Sequence, residues 1–229
     1  MLFSLRKYMY NYNTLKINKL NQNSLYVELT KEKLRKLAAD VGLDICPDIK
    51  CIEKQISESK KVLDIGSGYG RSIRYLLDLD KSLSIAGVEL NARHYDELIK
   101  QFSKDNVRLI KGSILDIYIN DKFDSILMLW CFIYEFSDVE IYDLLTKLKN
   151  LMNSDSHIYV DVLADHKYPA NAVHIKDSIY ETSYGGYANI NKNEKIIEMF
   201  IKSGFVHDKT FEYSTVTNNK KILVFKKAH

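Results

Sequence analysis

The stretch VLDIGSGYGRSIRYLL, residues 62–77, is the most informative part of the sequence. Its apolar beginning predicts a buried strand, and its second half has the apolar spacing of a helix. Three glycines lie between the two. Glycine is favoured where the backbone must adopt a positive φ angle or approach a ligand closely. This turn therefore predicts a site for a nucleotide-like cofactor.

Strands and helices alternate along the rest of the chain. The predicted strands are 61–65, 84–90, 106–112, 123–130 and 157–163, and the predicted helices are 71–79, 92–102, 137–152 and 192–204. Two further strands, joined by a turn at Asn218-Asn219, are predicted after Gly204. The pattern predicts an α/β fold with a doubly wound, mostly parallel sheet of seven strands, an antiparallel last strand and helices on both faces.

The chain is expected to have a small N-terminal helical cap and one larger domain. Residues 1–58 are predicted to form the cap or extension, and residues 59–229 the cofactor-binding domain. Within the cap, Thr30 has the character of a helix N-cap and Gly42 that of a stop signal. The connection 164–191 is long and rich in tyrosine, so we expect it to be ordered and to cover part of the site.

The composition excludes several classes of protein. With 229 residues, 46% of them hydrophobic, and a formal net charge of +3, the chain has an ordinary globular composition, and its charge alone does not indicate nucleic-acid binding. Its three cysteines lack zinc-like spacing and are odd in number, which disfavours a disulfide framework and favours the cytoplasm. We expect neither a signal peptide nor a membrane span.

The spacing of the glycines and two acidic residues separate the possible cofactors. A dinucleotide site favours G-x-G-x-x-G, whereas Gly66, Gly68 and Gly70 form G-x-G-x-G. Asp64, directly before the turn, would repel a pyrophosphate and suits a ligand with an ammonium group. Glu89, at the end of the second strand, can accept both hydroxyl groups of a ribose.

Four segments of the chain resemble sequence motifs of one enzyme family. DIGSGYG (64–70) and GVEL (87–90) resemble the first two motifs of the class I S-adenosylmethionine-dependent methyltransferases. KGSILD (111–116) and FDSILMLW (123–130) resemble the next two. The resemblance implies an enzyme that binds S-adenosylmethionine and releases S-adenosylhomocysteine.

The resemblance also implies which residues contact the cofactor. Asp64 is expected to anchor its methionine portion and Glu89 its ribose. The expected cofactor-binding residues are Asp64, Gly66, Ser67, Gly68, Gly70, Glu89, Leu90, Ser113, Ile114 and Leu129. The family often has an acidic residue for the adenine amino group where this chain has Ser113, and Asp116 is the candidate substitute. Arg71 is expected to be a solvated residue of the first helical turn.

Acceptor sites in this family lie at the ends of the fourth and fifth strands and under the connections that follow. His166 is the predicted general base, because imidazole titrates near neutral pH, although a surface-loop histidine is the alternative. The predicted catalytic residues are His166, Asp161 and Tyr134, and the predicted substrate-binding residues are Trp130, Glu135, Tyr168 and Tyr184. The alternatives are local hydrogen-bonding roles for Asp161 and Glu135 and a core position for Trp130.

Motifs that are missing narrow the range of acceptors. No Asn-Pro-Pro-Tyr-like tetrapeptide or Pro-Cys pair follows the fourth strand, which disfavours two types of nucleic-acid methyltransferase. Trp130 and Cys131 replace the carboxylate of metal-dependent relatives, so no metal is expected. We therefore expect methyl transfer to an O or N atom of a small molecule. The alternatives are a methyltransferase that docks RNA or protein on Lys7, Lys16 and Lys19, and an inactive cofactor-binding module.

Overall fold

A computed structural model of the chain describes residues 16–23, 29–165, 172–182 and 185–228. The strands in these ranges are β1 (Lys61–Ile65), β2 (Ser84–Glu89), β3 (Val107–Lys111), β4 (Phe123–Met128), β5 (Met152–Leu163), β6 (Val173–Lys176), β7 (Ile179–Glu181), β8 (Tyr187–Asn189), β9 (Phe205–Ser214) and β10 (Asn219–Lys227). The helices are α1 (Ile17–Asn23), α2 (Lys31–Val41), α3 (Pro47–Lys50), α4 (Glu53–Ile56), α5 (Arg71–Leu79), α6 (Ala92–Gln101), α7 (Asp138–Asn150) and α8 (Asn193–Lys202). A 3-10 helix spans Phe132–Glu135.

The main sheet has seven strands in the order β3-β2-β1-β4-β5-β10-β9. The first five strands of that order pair in parallel, whereas β10 runs antiparallel to both β5 and β9. The predicted α/β fold with its antiparallel strand near one edge is therefore confirmed. The order reverses direction between β1 and β4, and ligands bind outside the carboxyl ends of the strands at such a point.

The two faces of the sheet bury separate apolar clusters. Adjacent residues of β1 point to opposite faces, so Val62 belongs to one cluster and Leu63 to the other. The cluster around Val62 includes Ile49, Ile52 and Ile56 from the short helices before β1. This part of the N-terminal region therefore shares a core with the sheet, which holds the preceding helix α2 near the glycine turn.

The ends of the helices follow their sequence signals. Thr30 caps α2 by accepting a hydrogen bond from the backbone N–H of Lys33, and Gly42 ends that helix with a φ of 77°. Ser137 and Glu140 form a reciprocal capping box at the start of α7. The predicted start and end of α2 are thus confirmed.

The connection after β5 contains structure that the sequence patterns did not predict. In its described part, β6, β7 and β8 form a small antiparallel sheet. Helix α1 holds this sheet through two hydrogen bonds: Asn21 Nδ2 donates to the carbonyl of Tyr187 at 2.8 Å, and the N–H of Tyr187 donates to Asn21 Oδ1 at 2.7 Å. The N-terminal region and the connection therefore meet over the same edge of the domain.

Two features concern the described residues as a whole. No helix among them is long and apolar enough to cross a membrane. In the same ranges, no group of three or more histidine, cysteine, aspartate or glutamate side chains is arranged to hold a metal ion.

Candidate active site

The three glycines of the turn after β1 serve different purposes. Gly66, Gly68 and Gly70 have φ angles of 77°, 55° and 82°. A Cβ atom at Gly66 would lie 2.7 Å from the ring of Phe132, and one at Gly70 would lie 2.6 Å from the ring of Phe102. At Gly68 the nearest atom would be a Leu34 methyl carbon at 3.8 Å. Only the middle glycine of the turn therefore leaves space that a ligand can use.

A cavity of about 810 Å³ adjoins the turn, at the carboxyl ends of β1, β2 and β4. This volume is within the usual range for a small-molecule site. All the expected cofactor-binding residues except Gly70 line it: Asp64, Gly66, Ser67, Gly68, Glu89, Leu90, Ser113, Ile114 and Leu129. Leu34, Leu37 and Val41 of α2 form an apolar wall of the same cavity. Helix α2 therefore covers the site that the motifs mark.

Two buried carboxylates lie in this end of the cavity. Ser72 Oγ donates a hydrogen bond to Asp64 Oδ2 at 2.7 Å, and burial raises the pKa of Asp64. Glu89 accepts hydrogen bonds from the backbone N–H groups of Gly68 at 2.6 Å and Asn91 at 2.7 Å. Burial nevertheless raises the pKa of Glu89 to about 7. Both groups would be stabilised in their charged form by a ligand that brings positive charge or hydrogen-bond donors.

The polar groups near Ser113 differ from the sequence-based expectation. Asp116 is exposed and does not line the cavity, so it was wrong as the substitute for the family's acidic residue. Ser113 Oγ instead donates to Asn18 Oδ1 of α1 at 3.3 Å. His94 also lines the cavity, and its Nε2 is buried with no hydrogen-bond partner among the described residues. Sequence reasoning missed Asn18 and His94 because neither lies in a motif.

The backbone turns sharply after β4, where it lines the same cavity. Trp130 and Cys131 have φ angles of 53° and 58°, which non-glycine residues rarely adopt. The N–H of Cys131 donates to Asp161 Oδ2 at 3.0 Å. Tyr213 Oη donates to Asp161 Oδ1 at 2.9 Å, and Lys220 Nζ lies 2.8 Å from Asp161 Oδ2. Asp161 is fully buried and holds this turn in place, whereas Trp130, Cys131 and Lys220 line the cavity.

The 3-10 helix after this turn places two more predicted residues at the cavity. The hydroxyl of Tyr134 accepts a hydrogen bond from the N–H of Leu163 at 3.1 Å, and the Tyr134 side chain lines the cavity. Glu135 also lines it, but its Oε2 is buried with no hydrogen-bond partner among the described residues. Burial raises the pKa of Glu135 to about 8. This end of the cavity therefore contains a carboxylate without a compensating group.

Comparisons with known proteins agree with this arrangement. Residues 62–155 match a family model described as a methyltransferase domain. The structure is similar to that of the Burkholderia thailandensis 1,6-didemethyltoxoflavin-N1-methyltransferase with bound 1,6-didemethyltoxoflavin and S-adenosylhomocysteine, with a TM-score of 0.68 and 14% sequence identity over 87% of this chain and 84% of the other. Residues 62–155 carry a methyltransferase domain. The resemblance of the four motifs is thereby confirmed, and the cofactor of this family is S-adenosylmethionine.

Two further proteins are similar to parts of this chain. A Papaver bracteatum protein described as probable (S)-tetrahydroprotoberberine N-methyltransferase 2 is 26% identical over 144 residues, which are 61% of this chain and 38% of that protein. A methyltransferase structure from Clostridium acetobutylicum has a TM-score of 0.66 at 14% identity, over 85% of this chain and 96% of the other. The chain thus spans well under half the length of its curated plant relative.

The methyltransferase domain is joined to the N-terminal region by a buried ion pair. Arg71 Nη1 and Nη2 donate to Asp48 Oδ1 and Oδ2 at 2.7 and 2.6 Å, and the two side chains are 8% and 0% exposed. The expectation that Arg71 is solvated was therefore wrong. Asp48 lies in helix α3 and Arg71 begins α5, so the pair joins two segments that local sequence patterns do not connect.

Some predicted residues of the methyltransferase site lie outside the described residues. These are His166, Tyr168 and Tyr184, so the predicted general base and two of the predicted substrate-binding residues stay predictions. Strand β8 of the small sheet contributes Tyr187 and Ala188 to the cavity lining. These two residues belong to short strands that the sequence patterns did not predict.

Proposed function

We propose that the chain transfers a methyl group from S-adenosylmethionine to a nitrogen or oxygen atom of a small-molecule acceptor. The observation that carries the proposal is one cavity of about 810 Å³ lined by two sets of residues. Residues of the four family motifs line one part of it, and Tyr134, Glu135 and Tyr187, which lie outside those motifs, line another part. When bound, S-adenosylmethionine supplies a methyl group that the positive sulfonium activates for displacement.

The residues at the motif end fit this cofactor. The open face of Gly68 lets the backbone approach a ligand closely, and Asp64 offers a carboxylate for an ammonium group. Glu89 uses one lone pair of each oxygen for a backbone N–H, so further lone pairs are left for the hydroxyl groups of a ribose. Gly66 and Gly70 let the turn pack closely on the rings of Phe132 and Phe102.

The residues at the other end are proposed to orient the acceptor and keep water away from it. Trp130, Tyr134 and the small sheet contribute aromatic and apolar surface, which suits a compact organic molecule. We infer that Asp161 is a positioning residue, because it holds the turn at Cys131 and does not itself line the cavity. His166 is retained as the proposed base for a hydroxyl acceptor, with Tyr168 and Tyr184 as proposed acceptor contacts.

We also propose that residues 1–58 act as a cap over the cofactor end of the cavity. The apolar residues of α2 that line the cavity support this role, as does the hydrogen bond between Asn18 and Ser113. The cytoplasm is the proposed location, which is supported by the free thiols of Cys46, Cys51 and Cys131. Fractionation of the producing cells tests that location.

Thermal denaturation with two ligands tests the proposed function. S-adenosylhomocysteine is expected to raise the melting temperature, because a ligand at 100 times its Kd stabilises the native state by about 2.7 kcal/mol. NAD at the same concentration is the matched control and is expected to have no effect, since Asp64 repels a pyrophosphate. Stabilisation by NAD but not by S-adenosylhomocysteine would overturn the proposal.

A further inference from the structure

Five charged side chains of the described residues line the cavity, and only the two basic ones have ion-pair partners. Arg71 is paired with Asp48, and Lys220 with Asp161. The three acidic residues Asp64, Glu89 and Glu135 form no ion pair with a described residue. Carboxyl groups that are buried without an ion-pair partner are stabilised in their charged form by a ligand that carries positive charge, so the cavity suits such ligands.

Glu135 differs from the other two acidic residues in having no hydrogen bonds to its carboxylate. Asp64 is held by Ser72, and Glu89 by two backbone N–H groups. For Glu135, no donor to the carboxylate is found among the described residues, and Oε2 is buried. A buried carboxylate in this condition is costly unless a partner arrives or a proton binds. Its surroundings therefore favour a ligand with a positively charged donor.

The position of Glu135 shows which ligand that donor belongs to. Glu135 follows the turn at Trp130 and Cys131, and it shares the 3-10 helix with Tyr134. In the proposed function the cofactor already accounts for Asp64, through its ammonium group, and for Glu89, through its ribose. Glu135 lies outside the cofactor motifs and is left for the acceptor. The cavity lining also contains Trp130 and Tyr187, and aromatic rings of this kind attract cations.

We propose that Glu135 recognises the acceptor and that the acceptor is an amine that enters the cavity as an ammonium ion. This inference rests on the proposed function and specifies the acceptor class of the same site. The Glu135 carboxylate binds the ammonium group and takes one proton from its nitrogen, which leaves a neutral amine and a carboxylic acid. The nitrogen lone pair then forms the new bond to the methyl carbon while the carbon–sulfur bond breaks and its electron pair stays on sulfur.

Binding of matched amines and uncharged analogues tests the inference. The protein is saturated with S-adenosylhomocysteine and titrated in a calorimeter with benzylamine, 2-phenylethylamine or piperidine, and with benzyl alcohol, 2-phenylethanol or tetrahydropyran. At least one amine is expected to bind at least tenfold more tightly than its analogue. Equal binding within every pair, tighter binding of the analogues, or no binding by any of the amines would overturn the inference.

The substitution E135Q tests whether Glu135 causes the preference for amines over their uncharged analogues. E135Q is expected to lose at least tenfold in amine affinity and to keep its affinity for S-adenosylhomocysteine within about twofold, since the amide cannot neutralise a cation. E58Q is the matched control, because Glu58 is exposed and does not line the cavity. Unchanged amine affinity in E135Q would overturn the inference. Failure of wild-type protein to bind S-adenosylhomocysteine would instead overturn the proposed function.

Proton release provides a readout that a purely structural role would not change. Burial raises the pKa of Glu135 to about 8, so most of this group is protonated at pH 7 before the amine arrives. Binding of an ammonium ion should therefore release up to about one proton, which calorimetry in buffers of different ionisation enthalpy detects. E135Q should bind any residual amine without this release. The same proton release in wild type and E135Q would contradict the assignment.

Discussion

At the residue scale, the glycine turn was the part of the site that the sequence predicted best. Its positive φ angles and its position after a strand are local properties, so a short motif is enough to place Asp64 and Gly68. The carboxylate of Glu89 could also be predicted, because it ends the next parallel strand at the same edge of the sheet. The sequence did not predict that Gly66 and Gly70 pack against aromatic rings while Gly68 keeps open space beside it, because Phe102 and Phe132 lie far away along the chain.

Replacing Gly68 by alanine should weaken cofactor binding while the protein stays folded. The added Cβ would meet no atom closer than 3.8 Å, but it would occupy space that a ligand uses. The φ of 55° adds strain of about 1–2 kcal/mol. We expect G68A to lose at least tenfold in affinity for S-adenosylhomocysteine, as measured by calorimetry.

The variant G204A is the control for the backbone strain that an alanine causes at a positive φ angle. Gly204 has a φ of 82° and does not line the cavity, and an added Cβ would displace only the flexible end of Lys149. This variant should lose a similar amount of stability and keep its affinity for S-adenosylhomocysteine. Wild-type affinity in G68A, or an equal loss of affinity in G204A, would show that the open face of Gly68 is not part of the site.

At the element scale, sequence patterns gave the order of strands and helices but not every boundary. The apolar run 123–130 was predicted as one strand, yet β4 ends at Met128 because Trp130 and Cys131 adopt left-handed conformations. The N–H of Cys131 in this turn is bound by Asp161, which lies on the neighbouring strand β5. The small sheet β6–β8 was missed for a related reason. Its strands have only three or four residues, and its contact with α1 joins distant parts of the chain.

The buried pair of Asp161 and Lys220 should be important for the stability of the turn after β4. Burial opposes a charged Lys220, but the adjacent carboxylate of Asp161 outweighs it and raises the pKa of Lys220. D161N would leave the lysine buried without its partner and should lower the free energy of unfolding by about 3–5 kcal/mol. Urea denaturation followed by circular dichroism measures this loss.

A double variant measures how much of the lost stability comes from the interaction between Asp161 and Lys220 and how much from each side chain by itself. Adding K220M to D161N removes the unpaired lysine, so the double variant should be more stable than the sum of the two single losses implies. The single variants D161N and K220M complete the cycle. Strictly additive losses would mean that the two side chains contribute to stability independently.

At the scale of the whole molecule, the sequence predicted the sheet and its two covered faces, but not how the N-terminal region joins them. The predicted boundary at residue 58 follows a change in pattern. In the structure, Ile49, Ile52 and Ile56 belong to the same apolar cluster as Val62, and Asp48 is paired with Arg71. Such contacts between segments depend on tertiary packing, which a periodicity in one segment cannot reveal.

The buried carboxyl groups of Glu135 and Glu89, which have no ion-pair partner among the described residues, should make the stability of the ligand-free protein depend on pH. The folded-state pKa of Glu135 is about 8, above its usual value of 4.5. Between these values the folded state binds more protons than the unfolded state. The contribution of Glu135 to the stability of the folded state is therefore present at low pH. It is lost as the pH rises toward 8, by up to about 1.4 kcal/mol per pH unit. Glu89, with a pKa of about 7, contributes in the same direction.

Urea denaturation of wild type and E135Q from pH 5 to pH 9 measures the contribution of Glu135. The free energy of unfolding of E135Q, relative to wild type, should increase up to about pH 8 and then level off. E58Q should follow the wild-type curve throughout, because Glu58 is exposed. Parallel curves for wild type and E135Q would show that this carboxyl group titrates normally.

Helix α2 turns Leu34, Leu37 and Val41 toward the cavity, where these side chains are only half buried. Water therefore wets an apolar wall whenever the cavity holds no ligand. A ligand that covers this wall removes apolar surface from water, so its binding should have a negative change in heat capacity. The enthalpy of binding then becomes more favourable with rising temperature. The change in binding enthalpy per degree increases with the apolar area, including that of α2, that the ligand covers.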